Sequence, residues 1–162
     1  MYINKNMKQR VYIDTSVFGG YFDKEFENDT KKFFETLFEK RIHIIVSEIL
    51  EIEVYRAPNI VIDFFESIPS ELIERVELTD ESRELSEKYI IEKVVGKTSR
   101  ADCQHIALAT INKADVLASW NFKHIVNLER IRGYNSINFR EGYQMLEIRT
   151  PKEIFHYEED KQ

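Results

Sequence analysis

Three carboxylates stand where solvation alone does not account for them. Asp14 ends the run Val11-Tyr12-Ile13, an apolar, β-branched and aromatic stretch that stops on an acid and continues into Thr15 and Ser16. Glu53 follows Ile49 and Leu50 by one helical turn, so it borders an apolar patch. Glu51, which shares its side with Ser47 and Glu48, reads as solvated. Asp102 opens the segment Ser99–Asn112, which is apolar on most sides and belongs inside a protein. Acids gathered at one place repel unless a cation sits among them. Oxygen donors without His-rich or Cys-rich spacing suit Mg²⁺ or Mn²⁺ rather than zinc. Asn121, just past another apolar run, is a fourth candidate, as a helix N-cap, as a ligand acting through water, or as both. Each acid also has a plain structural use: a turn or cap for Asp14, an ion pair for Glu53, and an S-x-x-D capping box with Ser99 for Asp102. His105, one turn from Asp102, reads as a core or boundary residue that could face a cleft. Cys103 reads as inert packing.

The elements that must position these residues follow from periodicity and punctuation. Strands are expected at Val11–Ile13, Ile42–Val46, Val116–Ser119 and Ser136–Phe139. Helices are expected after Asn28-Asp29-Thr30, from Ser47 to near Pro58, and over Ile60–Ile68. Further helices are expected from Thr79-Asp80, over Ser99–Asn112, from Asn121 to near Gly133, and from the capping box Thr150-Pro151-Lys152-Glu153. Short buried strands alternating with helices give an α/β fold with a parallel sheet covered on both faces. In such sheets sites form at the carboxyl ends of the strands, where Asp14 would stand. Residues 1–157 read as a single domain, and 158–162 as a frayed tail.

At 162 residues the chain can bury a sizeable core. Its net charge of −6 is unevenly spread. Tyr21–Glu92 holds 9 basic and 19 acidic residues, whereas Lys93–Arg140 holds 8 basic and 3 acidic. The second half could therefore receive a polyanion, although solvated helix faces look the same. One cysteine excludes an intramolecular disulfide framework, and the polar Met1–Arg10 lacks the apolar core of a signal peptide. A cytoplasmic location is the expectation.

The order of Asp14-Thr15-Ser16, then Ser47 with Glu53, then Asp102 with Ile106-Ala107, then Ser119-Trp120-Asn121-Phe122 resembles the PIN-domain nucleases, nearest to the VapC-like toxin group. The resemblance spans Val11 to about Thr150. It implies a three-layer fold with a central parallel sheet and an acidic pocket for Mg²⁺ or Mn²⁺. By that resemblance Asp14, Glu53 and Asp102 are the catalytic and metal-binding acids, and Ser16 is the hydroxyl beside the first. Asn121 stands where toxin members commonly carry Asp, so a second metal is in doubt. The resemblance further implies an RNA substrate, a small antitoxin partner and a homodimer.

Two functions from different classes follow. One is a metal-dependent ribonuclease, an endonuclease in which Ser16 and Asn121 orient waters. Arg100, Lys123 and Arg132, with Lys97 and Arg140, would contact backbone phosphates. The other is a non-catalytic module that binds a protein or RNA and cuts nothing. A haloacid-dehalogenase phosphatase needs an Asp at position 16, and a receiver domain needs an acidic pair before Asp14. Gly19-Gly20 fits neither dinucleotide nor P-loop spacing.

Overall fold

Tyr12 points to the opposite side of its strand from Val11 and Ile13, and that alternation divides the molecule. The computed structural model describes residues 7–95 and 99–161. Five strands form one sheet: β1 Gln9–Ile13, β2 Ile42–Ser47, β3 Ile73–Val76, β4 Val116–Ala118 and β5 Ile148–Arg149. All neighbours are parallel, in the order β3-β2-β1-β4-β5. Val11 and Ile13 join a core formed with α1 Thr15–Gly20, α2 Glu27–Phe38, α3 Glu48–Val54, α4 Asn59–Ser67 and α8 Pro151–Asp160. Tyr12, Ile45 and Leu117 face the other core, under α5 Asp80–Ile91, α6 Arg100–Ile111 and α7 Leu128–Arg140. The expected three-layer α/β architecture is what the chain adopts.

The chain winds outward from β1 to β2 and β3 on one side, and to β4 and β5 on the other. The switch point therefore lies between β1 and β4, where open α/β sheets leave a crevice at their carboxyl edge. Tyr12 pairs with Leu117 and Ile13 with Ala118, so the next two residues, Asp14 and Ser119, emerge side by side.

Several elements start where their caps predict. Ser47 Oγ accepts from Leu50 N at 3.2 Å, Thr79 forms a capping box with Ser82, and Thr150 caps α8 with Pro151 in its first turn. Others correct the sequence reading. Ser136–Phe139 is not a strand but the end of α7, whose Tyr134 and Ile137 are buried, while Phe139 is exposed. Tertiary packing overrides the local apolar signal there. Asn121 opens no helix; α7 begins seven residues later, with Asn127 as its cap. It runs through Gly133, where a Cβ would come within 2.9 Å of Val94 Cγ1. α2 starts at Glu27, ahead of Asn28-Asp29-Thr30. Ser99 makes no cap bond to α6, so the S-x-x-D box does not form and Asp102 is left free for other contacts. α8 continues to Asp160, past the point at which the tail is expected to fray, and Glu158 is buried with Lys161 Nζ 3.1 Å away. Among the described residues, no helix is long and apolar enough to cross a membrane.

Candidate active site

Asp14 is only 4 % exposed, yet both its carboxylate oxygens are bonded. Ser16 donates to Oδ1 twice, from Oγ at 2.5 Å and from its main-chain N–H at 3.1 Å. Ser119 Oγ donates to Oδ2 at 2.5 Å. Asp14 thus serves as the N-cap of α1 while being clasped by the hydroxyl that follows β4. Ser119 Oγ in turn accepts from Asn121 N at 2.9 Å, and Ser16 Oγ accepts from Trp120 N at 2.8 Å. The loop after β4 is stitched to the start of α1 by two of these bonds, Ser119 to Asp14 and Trp120 to Ser16.

Glu53 reaches the same edge from α3. Thr15 Oγ1 donates to its Oε2 at 2.6 Å, and His105 Nε2 lies 3.1 Å from Oε1. A carboxylate only accepts, so His105 carries its proton on Nε2. Nδ1 of that ring is 2.7 Å from the Tyr12 hydroxyl, which also lies 3.0 Å from Ser47 Oγ. A buried polar chain therefore runs from the cap of α3 through Tyr12 and His105 to Glu53. His105 is buried, as its core reading expects, and meets the site through Nε2 on Glu53. Glu51 instead pairs with Arg75 at the surface.

The Asn121 side chain lies close enough to Asp102 to favour its ionised form. The Asn121 carbonyl oxygen accepts from His124 N at 3.0 Å, so its amide nitrogen is the donor left for that acid.

The electrostatics separate the three acids. Burial pushes the Asp14 carboxyl above its ordinary value; His105 and the Ser119 and Ser16 hydroxyls oppose this, and the charge of Asp102 adds to it. Asp102 is raised for the same first reason, against His105, His124 and Asn121, with Glu53 adding to the rise. Burial works against Glu53 too, but the bonds from His105 and Thr15 outweigh it and hold that group below its usual value. Burial raises the Cys103 thiol to about 12, which keeps it protonated and inert.

Among the described residues, no three His, Cys, Asp or Glu side chains are gathered closely enough to form a ready-made metal cage. The donor chemistry nonetheless fits a hard cation. Asp102 raises the cost of ionising Asp14, Glu53 raises that of Asp102, and among the described residues neither Asp14 nor Asp102 has a Lys or Arg partner. Mg²⁺ keeps several waters and takes one or two carboxylates, so an open pair of this kind suits it.

The basic candidates do not converge on the acids. Arg100 pairs with Glu87, and Arg140 with Glu92 and Glu141. Arg132 is exposed on α7, and Lys123 is exposed beside Phe122. Lys97 lies outside the described residues. Thr15, Ser119 and Tyr12 are contacts that sequence reasoning missed. Ser119 alone had a signal, since it follows its strand as Asp14 follows β1.

No protein-family model matches the chain, and no curated protein sequence does. Solved structures do. VapC20 of Mycobacterium tuberculosis, described as a Sarcin-Ricin loop cleaving toxin, superposes over 70 % of this chain and 91 % of its own, with a TM-score of 0.56 at 11 % identity. VapBC2 from Rickettsia felis, solved bound to a DNA fragment from its promoter, covers 88 % of this chain and 98 % of the matched one, at 0.54 and 15 %. The chain shares its fold with these VapC structures. In this fold Asp14 and Ser119 occupy the switch point, and Glu53 and Asp102 come from the helices on either face of the sheet.

Proposed function

We propose that the chain is a metal-dependent ribonuclease, the toxin of a toxin–antitoxin pair. The observation that carries this reading is a buried carboxylate, Asp14, at the switch point of a PIN fold, made costlier to ionise by Asp102, with no Lys or Arg among the described residues paired to either. The likeness to a loop-cleaving toxin and to a toxin–antitoxin complex supports the substrate and the partner. A bound Mg²⁺ or Mn²⁺ would supply Lewis acidity, activating a water and offsetting charge on phosphorus. Asp14 and Asp102 are assigned to hold it. Ser16 and Ser119 fix both Asp14 oxygens, so this donor is oriented before the ion arrives, and the Asn121 amide beside Asp102 favours its ionised form. Glu53, kept ionised by His105 and Thr15, is placed to orient or deprotonate the attacking water for in-line displacement. Lys123 and Arg132 are assigned to backbone phosphates. A small antitoxin partner, a homodimer and a cytoplasmic location belong to the same reading.

The absence of a three-ligand cluster among the described residues, with Asn121 in place of a fourth acid, favours a second reading: a PIN module that binds but does not cut. Cleavage of a single-stranded RNA separates the two. The nuclease is expected to cut with Mn²⁺, to stop in EDTA, and to lose at least about 100-fold in rate as Asp102→Asn. Equal rates for wild type and Asp102→Asn would mean that the activity arises elsewhere.

A further inference from the structure

Beside the acidic pocket stands a group of aromatic rings that the proposed reaction does not use. Trp120 follows Ser119 directly, and its main-chain N–H donates to Ser16 Oγ at 2.8 Å, which ties it to the pocket wall. Its ring is firmly seated. Nε1 donates to Thr30 Oγ1 at 3.0 Å, and the ring lies so close to Gly20 that a Cβ there would come within 2.7 Å of it. Phe26 stacks on Trp120, with centroids 4.5 Å apart and planes at 21°. Phe122 leans on both, at 6.2 and 6.3 Å, yet is 49 % exposed. Rigid rings hold in place one ring that remains half in water.

The neighbours of Phe122 say what would cover it. Asn121, on one side, favours the ionised form of Asp102, and Lys123, on the other, is exposed. Acid support, aromatic ring and ammonium thus follow one another along the chain, within a stretch that holds 8 basic and 3 acidic residues. A nucleotide presents the matching groups: a scissile phosphodiester, a flat base and a further phosphate. Only an unpaired base offers its face for stacking, since paired bases are already stacked on their neighbours.

We infer that Phe122, braced by Phe26 and Trp120, stacks an unpaired base of a single-stranded RNA next to the bond to be cut. This rests on the nuclease reading and adds a base platform to it. Trp120 is the sole tryptophan, so its emission reports on the platform directly. In EDTA, a decamer of uridylate should shift that emission with the same midpoint that calorimetry gives for binding. An abasic decamer should bind about 5- to 100-fold more weakly. Phe122→Ala should lose the preference for the decamer with bases, Phe122→Leu should lose it while keeping the apolar volume, and Phe122→Tyr should keep it. Equal binding of the two oligomers by wild type, or an undiminished preference in Phe122→Leu, would overturn the platform. So would an emission change produced by a protein partner and not by RNA. If wild type and Phe122→Leu cut RNA equally well with Mn²⁺, the platform fails and the nuclease stands. If base-dependent binding appears without any cleavage, the nuclease reading fails alone.

Discussion

Asp14 carries two loads that pull in opposite directions. It caps α1 and binds two serines, which favours the folded chain, but its burial next to Asp102 makes its charge costly. Its folded pKa lies above the unfolded one, so its contribution to stability is present while it is protonated and is lost as pH rises through the folded value. In the metal-free protein that contribution should therefore decline as pH rises above the ordinary Asp value of about 3.9. Glu53 has the opposite sign: its folded pKa is lowered, so its contribution is present above the unfolded value and is lost as pH falls through the folded one. Asp14→Asn keeps the shape and removes the charge. In EDTA at neutral pH its melting temperature should exceed wild type, by about 2–4 °C for each kcal/mol relieved. A lower melting temperature would show that the cap and clasp outweigh the charge. His105→Leu leaves the Tyr12 hydroxyl and Glu53 without a shared partner and should cost about 1–3 kcal/mol in urea unfolding, whereas a loss under ~0.5 kcal/mol would argue that the buried chain is idle.

Legibility differs by element, and the physical reasons are specific. α3, α5 and α8 announce themselves through side chains that bond their own first turns, a local signal. β3 and β5 carry no such signal. β3, at a sheet edge, has exposed Glu74 and Arg75 between half-buried Ile73 and Val76, and β5 is two residues long. α7 is misread because its buried Tyr134 and Ile137 are set by packing against α5, not by a clean stripe. Asp14 was legible because a buried strand that stops on an acid is unusual in itself. Its clasp by Ser119 was not, since that bond depends on the register of two strands 105 residues apart. The contact of His105 with Glu53 was hidden for the same reason: it joins helices on opposite faces of the sheet. Ser47 belongs to this scale because it serves α3 and Tyr12 together. Ser47→Ala should therefore cost about 1–2 kcal/mol, the upper part of the range for a lost cap, read as a drop in the urea midpoint at unchanged slope. A change in slope would point to the denatured state instead.

At the scale of the whole molecule, an acidic protein proposed to bind RNA must confine its basic groups. Among the described residues about half of the Lys and Arg side chains are already paired with acids, and of the basic candidates Arg100 and Arg140 are so engaged, which leaves Lys123 and Arg132 for phosphate. RNA binding should accordingly show a shallow dependence on salt, with a logarithmic slope magnitude near 2 rather than the ~10 of strongly basic binders. A steep slope would mean that a larger basic surface takes part. The same economy places the weight of the account on the pocket, where Asp14 stands at the switch point under the influence of Asp102 and, among the described residues, neither has a Lys or Arg partner. The direct test is a crystal of the protein grown with Mn²⁺ and measured for its anomalous signal. The account predicts a peak at ~2.0–2.6 Å from carboxylate oxygens of Asp14 and Asp102, lost in Asp14→Asn. Full Mn²⁺ loading elsewhere on the protein, with no peak at these acids, would contradict it.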